Sequence, residues 1–148
     1  MRKFVLAVSL CGSCVLAASA FAAEDAAVQR QAMMKSVGAA TGAAAAMVKG
    51  EAPFDAKTAE LAIRVMNASA NGFGFLFPEG SETGAETEAK PEIWSDSAGF
   101  QAAIEKFRTD TAAYVEAPAQ DLDGFKAAFG GITKNCGACH EKYRVKKE

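Results

Sequence analysis

The sequence predicts an all-α chain folded as an antiparallel four-helix bundle. Three observations carry that prediction. Half of the 148 residues are apolar and alanine is heavily used, a composition that suits helices packed closely through small side chains. Four segments of roughly 20 residues repeat their apolar positions at helical spacing, each about 30 Å long at about 1.5 Å per residue. No strand period persists, and two of the three links between segments are short, which makes sequential neighbours antiparallel.

Ahead of the bundle lies a different kind of segment. Arg2 and Lys3 give a basic start, and Phe4 to Ala20 then runs without a charge. Ala20-Phe21-Ala22 is an A-x-A cleavage site, followed at once by Glu24 and Asp25. This pattern is that of a secretory signal peptide, residues 1–22, and leaves 23–148 as the mature domain. The competing reading is an uncleaved anchor, since the apolar run is near the minimum length that spans a bilayer. Loss of Arg2 and Lys3 leaves 14 basic against 18 acidic residues, a net charge of −4. No basic stripe with interleaved aromatics is present, so nothing points to nucleic acid, and the mature domain is expected off the membrane.

The first helix takes Ala27, Met34, Val37, Thr41, Ala44 and Val48 as its stripe and ends near Gly50. The second starts after Pro53 at Asp55, with a stripe of Leu61, Val65, Ala68, Gly72 and Phe75. A longer link runs from Phe77 to about Trp94. Its Pro78, Gly80, Gly84 and Pro91 prevent a long helix there. The third helix carries Phe100, Ile104, Phe107, Thr111 and Tyr114, with Ser95 or Asp96 as its cap and Pro118 as its stop. The fourth is the clearest. Leu122, Phe125, Phe129, Ile132, Cys136, Cys139 and Tyr143 alternate spacings of three and four behind a cap at Asp121, an unbroken heptad seam.

Two of the four cysteines lie in the signal segment. The remaining pair stands in Cys136-Gly137-Ala138-Cys139, directly before His140, the only histidine of the chain. C-x-x-C-H is the haem-attachment signature. Two thiols add across the vinyl groups, and the next residue places an imidazole under the iron. On a helix all three side chains can face one macrocycle, so one covalent haem c is expected within the bundle. A redox dithiol is the first alternative, but such motifs normally follow a strand. A zinc site would need about four ligands. A disulfide would close too short a loop to stabilise much. Cys11-Gly12-Ser13-Cys14 has no following histidine and is read as incidental.

Beyond these residues the mature chain resembles the class II cytochromes c, the cytochrome c′ family. The resemblance rests on the C-terminal motif with Tyr143-Arg144 behind it, on Pro91-Glu92-Ile93-Trp94-Ser95-Asp96 before the third helix, and on Arg30-Gln31 in the first. It implies a left-handed four-helix bundle, commonly a homodimer, with haem near one end. It implies His140 as the axial iron ligand, Arg144 one turn later near the exposed proximal face, and Arg30 and Gln31 approaching the haem propionates. Met34 matches the family's distal position, as a blocking side chain or as a possible sixth ligand; adjacent Met33 points about 100° away. Glu88 falls where the family's loop meets the haem edge. Phe73, Phe75, Phe77 and Trp94 are candidates for the pocket lining, Phe77 nearest the haem on the resemblance.

Function follows from the cofactor. No catalytic constellation stands beside it, because the only histidine is committed to iron, and a peroxidase would want a distal acid–base pair. The expected function is a periplasmic monohaem cytochrome of the c′ type that binds NO or CO at five-coordinate iron, transfers electrons to redox partner proteins, or both. The alternative is a low-spin His/Met electron carrier of the same fold. A homodimer through Ala39, Ala40, Ala43 and Ala46 of the first helix is expected, and Lys142, Arg144, Lys146 and Lys147 form a basic tail.

Overall fold

A computed structural model describes residues 12–83 and 86–146, with side chains from Asp25 onward. Residues 1–11 of the expected signal peptide, Gly84 and Lys147 lie outside the described residues. The elements are α1 (Gly12–Lys49), α2 (Ala56–Phe73), a 3-10 turn (Gly74–Leu76), the short α3 (Glu92–Ser95), α4 (Ser97–Glu116) and α5 (Leu122–Tyr143). Helices α1, α2, α4 and α5 form the four-helix bundle. Among the described residues there is no strand, only one isolated antiparallel bridge between Ala89 and Arg144.

Local chemistry sets the helix ends. Gly50 adopts φ +76°, a conformation open to glycine at little cost, and terminates α1. Asp55, Asp96 and Asp121 cap α2, α4 and α5. Their carboxylates accept from Thr58 N at 2.7 Å, Gly99 N at 3.3 Å and Gly124 N at 2.8 Å, each answering an amide that the first turn leaves unpaired. Of the two residues expected to cap the third long helix, Asp96 does so.

The seams of α4 and α5 fall as the periodicity predicts. Phe100, Thr111, Tyr114, Phe125, Phe129, Ile132 and Tyr143 are buried. The stripe read on α2 is one step off. Leu61 is 62% exposed, Phe75 is 86% exposed, and Ala68 also faces out. The buried face is instead Ala59, Ala62, Ile63, Met66, Ser69 and Ala70. Alanines let α2 lie close against α1 and α4, and that close approach outweighs the larger side chain of Leu61.

The interior divides into two parts. Met47, Ala59, Ile63, Met66, Tyr114, Phe125 and Phe129 belong to a continuous core with Val37 and Ala44. A smaller cluster of Ile93, Phe100 and Tyr143 lies where the loop joins the bundle. Helix α1 packs mainly on α2, α2 on α4 and α4 on α5, while α1 and α5 meet least of the four neighbouring pairs. The space between them is the site.

Candidate haem site

A cavity of about 750 Å³ opens at one end of the bundle, within the ~300–1,000 Å³ range of pockets that take whole ligands or cofactors. Its walls come from the middle of α1, the end of α2, the start of α4, the end of α5 and the loop at 86–89. All eight side chains singled out in the sequence line it: Arg30, Gln31, Met34, Glu88, Cys136, Cys139, His140 and Arg144. Apolar groups fill the rest, with Phe73, Phe77, Phe100, Ile104 and Phe107 foremost. Trp94 lines a smaller neighbouring cleft and not this cavity. Phe75 lines neither; its ring stands in solvent.

Helix α5 supplies the reactive groups. Cys136 and Cys139 are free thiols, each half-buried. Burial pushes both thiols above the ordinary cysteine pKa, opposite to the lowered value that makes a redox dithiol reactive. Among the described residues no strand precedes the motif, which sits inside a continuous helix. Among the described residues no group of three or more His, Cys, Asp or Glu side chains is placed to hold a bare metal ion. The dithiol and zinc alternatives therefore lack their structural contexts. Burial, and next the Arg144 guanidinium, push the His140 pKa down, with Glu88 opposing. That favours the neutral imidazole, the form that binds metal.

The loop is fastened over the end of α5. Lys90 N donates to Tyr143 O at 3.0 Å and Val145 N donates to Glu88 O at 2.8 Å. Arg144 donates to Glu88 Oε2 through Nε and Nη2, both at 2.6 Å. Lys90 Nζ adds a bond to Glu141 O at 3.1 Å. On the α1 side, Gln31 Nε2 donates to Glu86 O at 3.2 Å. Glu88 thus reaches the cavity edge because backbone pairing holds it there. Sequence periodicity had no means of showing a pairing only one bridge long.

Arg30 lines the cavity and makes its hydrogen bonds to the loop. It is 5% exposed. One NH group donates to Leu76 O and Ser81 Oγ, both at 3.1 Å, and the other to Ser81 O at 3.2 Å. Its guanidinium lies 4.9 Å from the Phe77 ring centre and 5.9 Å from that of Trp94. Nε is buried with no partner. The charge holds the loop to α1 and retains one free donor in a residue that lines the cavity.

The two methionines separate cleanly. Met34 lines the cavity on α1. Met33 turns toward α2, where its Cε lies 3.4 Å from the position a Cβ on Gly72 would take. The cavity thus holds two thiols and an imidazole on α5, a thioether on α1, and aromatic walls between. Those donors fit a haem held covalently by Cys136 and Cys139, with His140 able to ligate its iron.

Comparison with known proteins agrees. The cytochrome c′ family model matches residues 25–144. A cytochrome c-556 of Agrobacterium fabrum is 38% identical over 98% of this chain and 97% of its own. A cytochrome c′ of Rhodopseudomonas palustris is 37% identical over 86% and 87%. The solved cytochrome c′ of Rhodopseudomonas palustris superposes with a TM-score of 0.80 at 36% identity, covering 84% of this chain and 98% of that one. A variant of cytochrome c′ from Alcaligenes xylosoxidans, solved as its nitric oxide complex, gives 0.74 at 35% identity over 84% and 97%. Fold, motif and these matches converge: the chain belongs to the cytochrome c′ family, whose members carry a single covalent haem c.

Proposed function

We propose that the chain is an exported, periplasmic electron-transfer cytochrome, in which His140 and Met34 would both ligate the haem iron. Bound in the cavity, haem c supplies a one-electron ferric/ferrous couple. The chain does the rest. Cys136 and Cys139 fix the group, and the aromatic walls exclude water. Arg30 and the Glu88–Arg144 pair hold the loop that closes the edge. Among the described residues no helix is long and apolar enough to cross a membrane, which accords with a mature domain that works off the bilayer.

The observation that carries this reading is the division of the methionines. Met34 brings a soft sulfur to the cavity wall, while Met33 is spent on packing against Gly72. The test is the absorption spectrum of the purified holoprotein beside that of Met34→Ala. The parent should be low-spin with a sulfur-to-iron band, and the variant should turn high-spin and bind CO readily. A low-spin spectrum that survives the substitution would overturn the assignment.

A second reading is favoured by the Alcaligenes xylosoxidans relative solved with nitric oxide. Here Met34 only crowds a five-coordinate iron, and NO or CO binds there. The parent itself would then be high-spin and take CO without any substitution. Under either reading a homodimer is expected through α1, which leaves Ala39 and Ala43 exposed; sedimentation of the holoprotein tests it.

A further inference from the structure

We infer that a second, smaller cleft beside the haem cavity binds a small planar aromatic cation that carries one electron, and that the electron crosses the single layer of side chains between the two spaces. The inference rests on the electron-transfer reading above and adds an entry point and the chemical class of the donor.

The cleft has a volume of about 390 Å³, inside the ~300–1,000 Å³ range of small-molecule pockets. It lies where α3 and the start of α4 meet the loop that follows the 3-10 turn. Phe77, Ile93 and Phe100 line it, and the same three side chains line the haem cavity. One layer of side chains therefore separates the two. Phe77 and Phe100 meet edge to face, with ring centres 4.7 Å apart. The Trp94 indole extends that surface within the cleft, 5.8 Å from the Phe77 ring centre. Its N–H donates to Pro78 O at 3.2 Å, which fixes the ring. A preformed aromatic wall of this kind suits a flat ring, since little ordering is left to do when the ligand arrives.

Charge selects the sign of the ligand. Glu79 and Glu82 line the cleft, and no basic side chain among the described residues does. Neither carboxylate forms a salt bridge among the described residues. Arg30 lines the haem cavity instead. Its guanidinium lies against the Phe77 and Trp94 rings and offsets part of the Glu82 charge, which leaves the cleft net negative. The surroundings reinforce that sign. Residues 74–105 hold seven acidic side chains and one basic one, Lys90. Lys90 Nζ is turned to Glu141 O, and Lys142 pairs with Asp96. The mouth of the haem cavity is different, because exposed Lys35, Glu86 and Arg144 stand there together and present both signs. The cleft joins carboxylates to ring faces that attract positive charge, and an aromatic cation recognises that combination. In the step itself the bound ligand gives up one electron and the iron passes from ferric to ferrous. No bond forms or breaks, no proton moves, and the oxidised ligand leaves.

The test uses the ferric holoprotein and methyl viologen. The oxidised viologen is a flat dication that binds without reacting, and the reduced form is a one-electron donor. With the oxidised form, NMR shifts should saturate at ~10 mM ionic strength and be largest at the Trp94 indole and the amides of Ser97 and Gln101, which line the cleft. Binding should weaken at ~150 mM, where the Debye length has shrunk from about 30 Å to about 8 Å. Glu79→Gln with Glu82→Gln should raise the dissociation constant about fivefold. Glu51→Gln with Glu116→Gln makes the same charge change at the far end of the bundle, Glu116 standing about 28 Å along α4 from Ser97; it should move the constant less than about twofold. In stopped flow the reduced viologen should reduce the haem at a rate that saturates over the same concentrations, and the cleft variant should slow the subsaturating rate by the same factor. A sulfonated viologen with the same rings, anionic when reduced, should show neither saturation nor sensitivity to that variant. If the shifts do not saturate, or if both double variants weaken binding equally, the cleft is not a site while electron transfer stands. If viologen binds in the cleft but its reaction ignores the cleft variant, electron entry there is refuted. If reduced viologen leaves the haem ferric, the electron-transfer reading falls as well.

Discussion

Replacing Arg30 by methionine should release the loop from α1 and cost about 2–4 kcal/mol. Hydrogen bonds from a charged donor contribute about 1.5–3 kcal/mol each, and Arg30 makes three, at 3.1, 3.1 and 3.2 Å. Against that stands the desolvation of a cation, at several kcal/mol, which also pushes the Arg30 pKa below its ordinary value, opposed by Glu82. Methionine restores the apolar volume and removes that desolvation cost, but leaves Leu76 O and Ser81 O unanswered. Two to four kcal/mol remain as the net loss. At about 3–5 °C per kcal/mol for a domain of this size, the holoprotein should melt roughly 10 °C lower. Amide exchange should accelerate at Ser81, whose N–H donates to Pro78 O, and stay unchanged at Ile63 and Phe125. Arg30→Lys keeps the charge without the planar fork and should recover less than half of the loss. A melting temperature within about 2 °C of the parent, with Ser81 exchange unaltered, would refute the view that this guanidinium fastens the loop.

Three further predictions concern other parts of the molecule. Phe125→Ala removes a fully buried ring that meets Phe54, Tyr114 and Phe129 at centroid distances of 5.8, 5.9 and 5.5 Å; it should cost about 3–5 kcal/mol in denaturant titration and leave the haem spectrum unchanged. Hydrogen bonds from Lys142, then from Tyr143, hold the Asp96 carboxyl below its ordinary pKa. The folded state therefore binds fewer protons than the unfolded chain in acid, and this contribution is present above the ordinary carboxylate range and lost as pH falls through the depressed value. Asp96→Asn should accordingly flatten the fall in stability as pH drops below the ordinary carboxylate range, followed by urea titration. Cys136→Ala with Cys139→Ala should give a polypeptide whose pigment is lost to acidic acetone, whereas the parent retains it.

The parts of the fold legible in the sequence were those where large side chains hold the seam. On α4 and α5 the aromatics and Ile132 mark the inner face, and periodicity finds it. On α2 the inner face is built from Ala59, Ala62, Ser69 and Ala70, which carry little hydropathy signal, so Leu61 and Phe75 drew the stripe outward. The three aspartate caps were readable because each stands before the first turn of its helix. At the site, the C-x-x-C-H motif announced its chemistry directly. Family resemblance pointed to Arg30, Gln31, Met34, Glu88 and Arg144, which line the same cavity as the motif. Arg30 turns its donors to loop carbonyls, which no residue pattern encodes, and Glu88 reaches the edge through a bridge of one residue pair. Met34 was set apart from Met33 by helical angle together with the stripe it shares with Val37 and Thr41.

The division of the interior has a consequence for how such a chain can vary. One half of the bundle is solid with side chains, from Met47 to Phe129, and needs no guest to exclude water. The other half lines the cavity that fits the haem. Substitutions in that lining, at Met34, Phe107 or Thr41, alter what surrounds the guest without emptying the solid half. Ligation and redox character are therefore free to diversify while the scaffold that holds them stays the same.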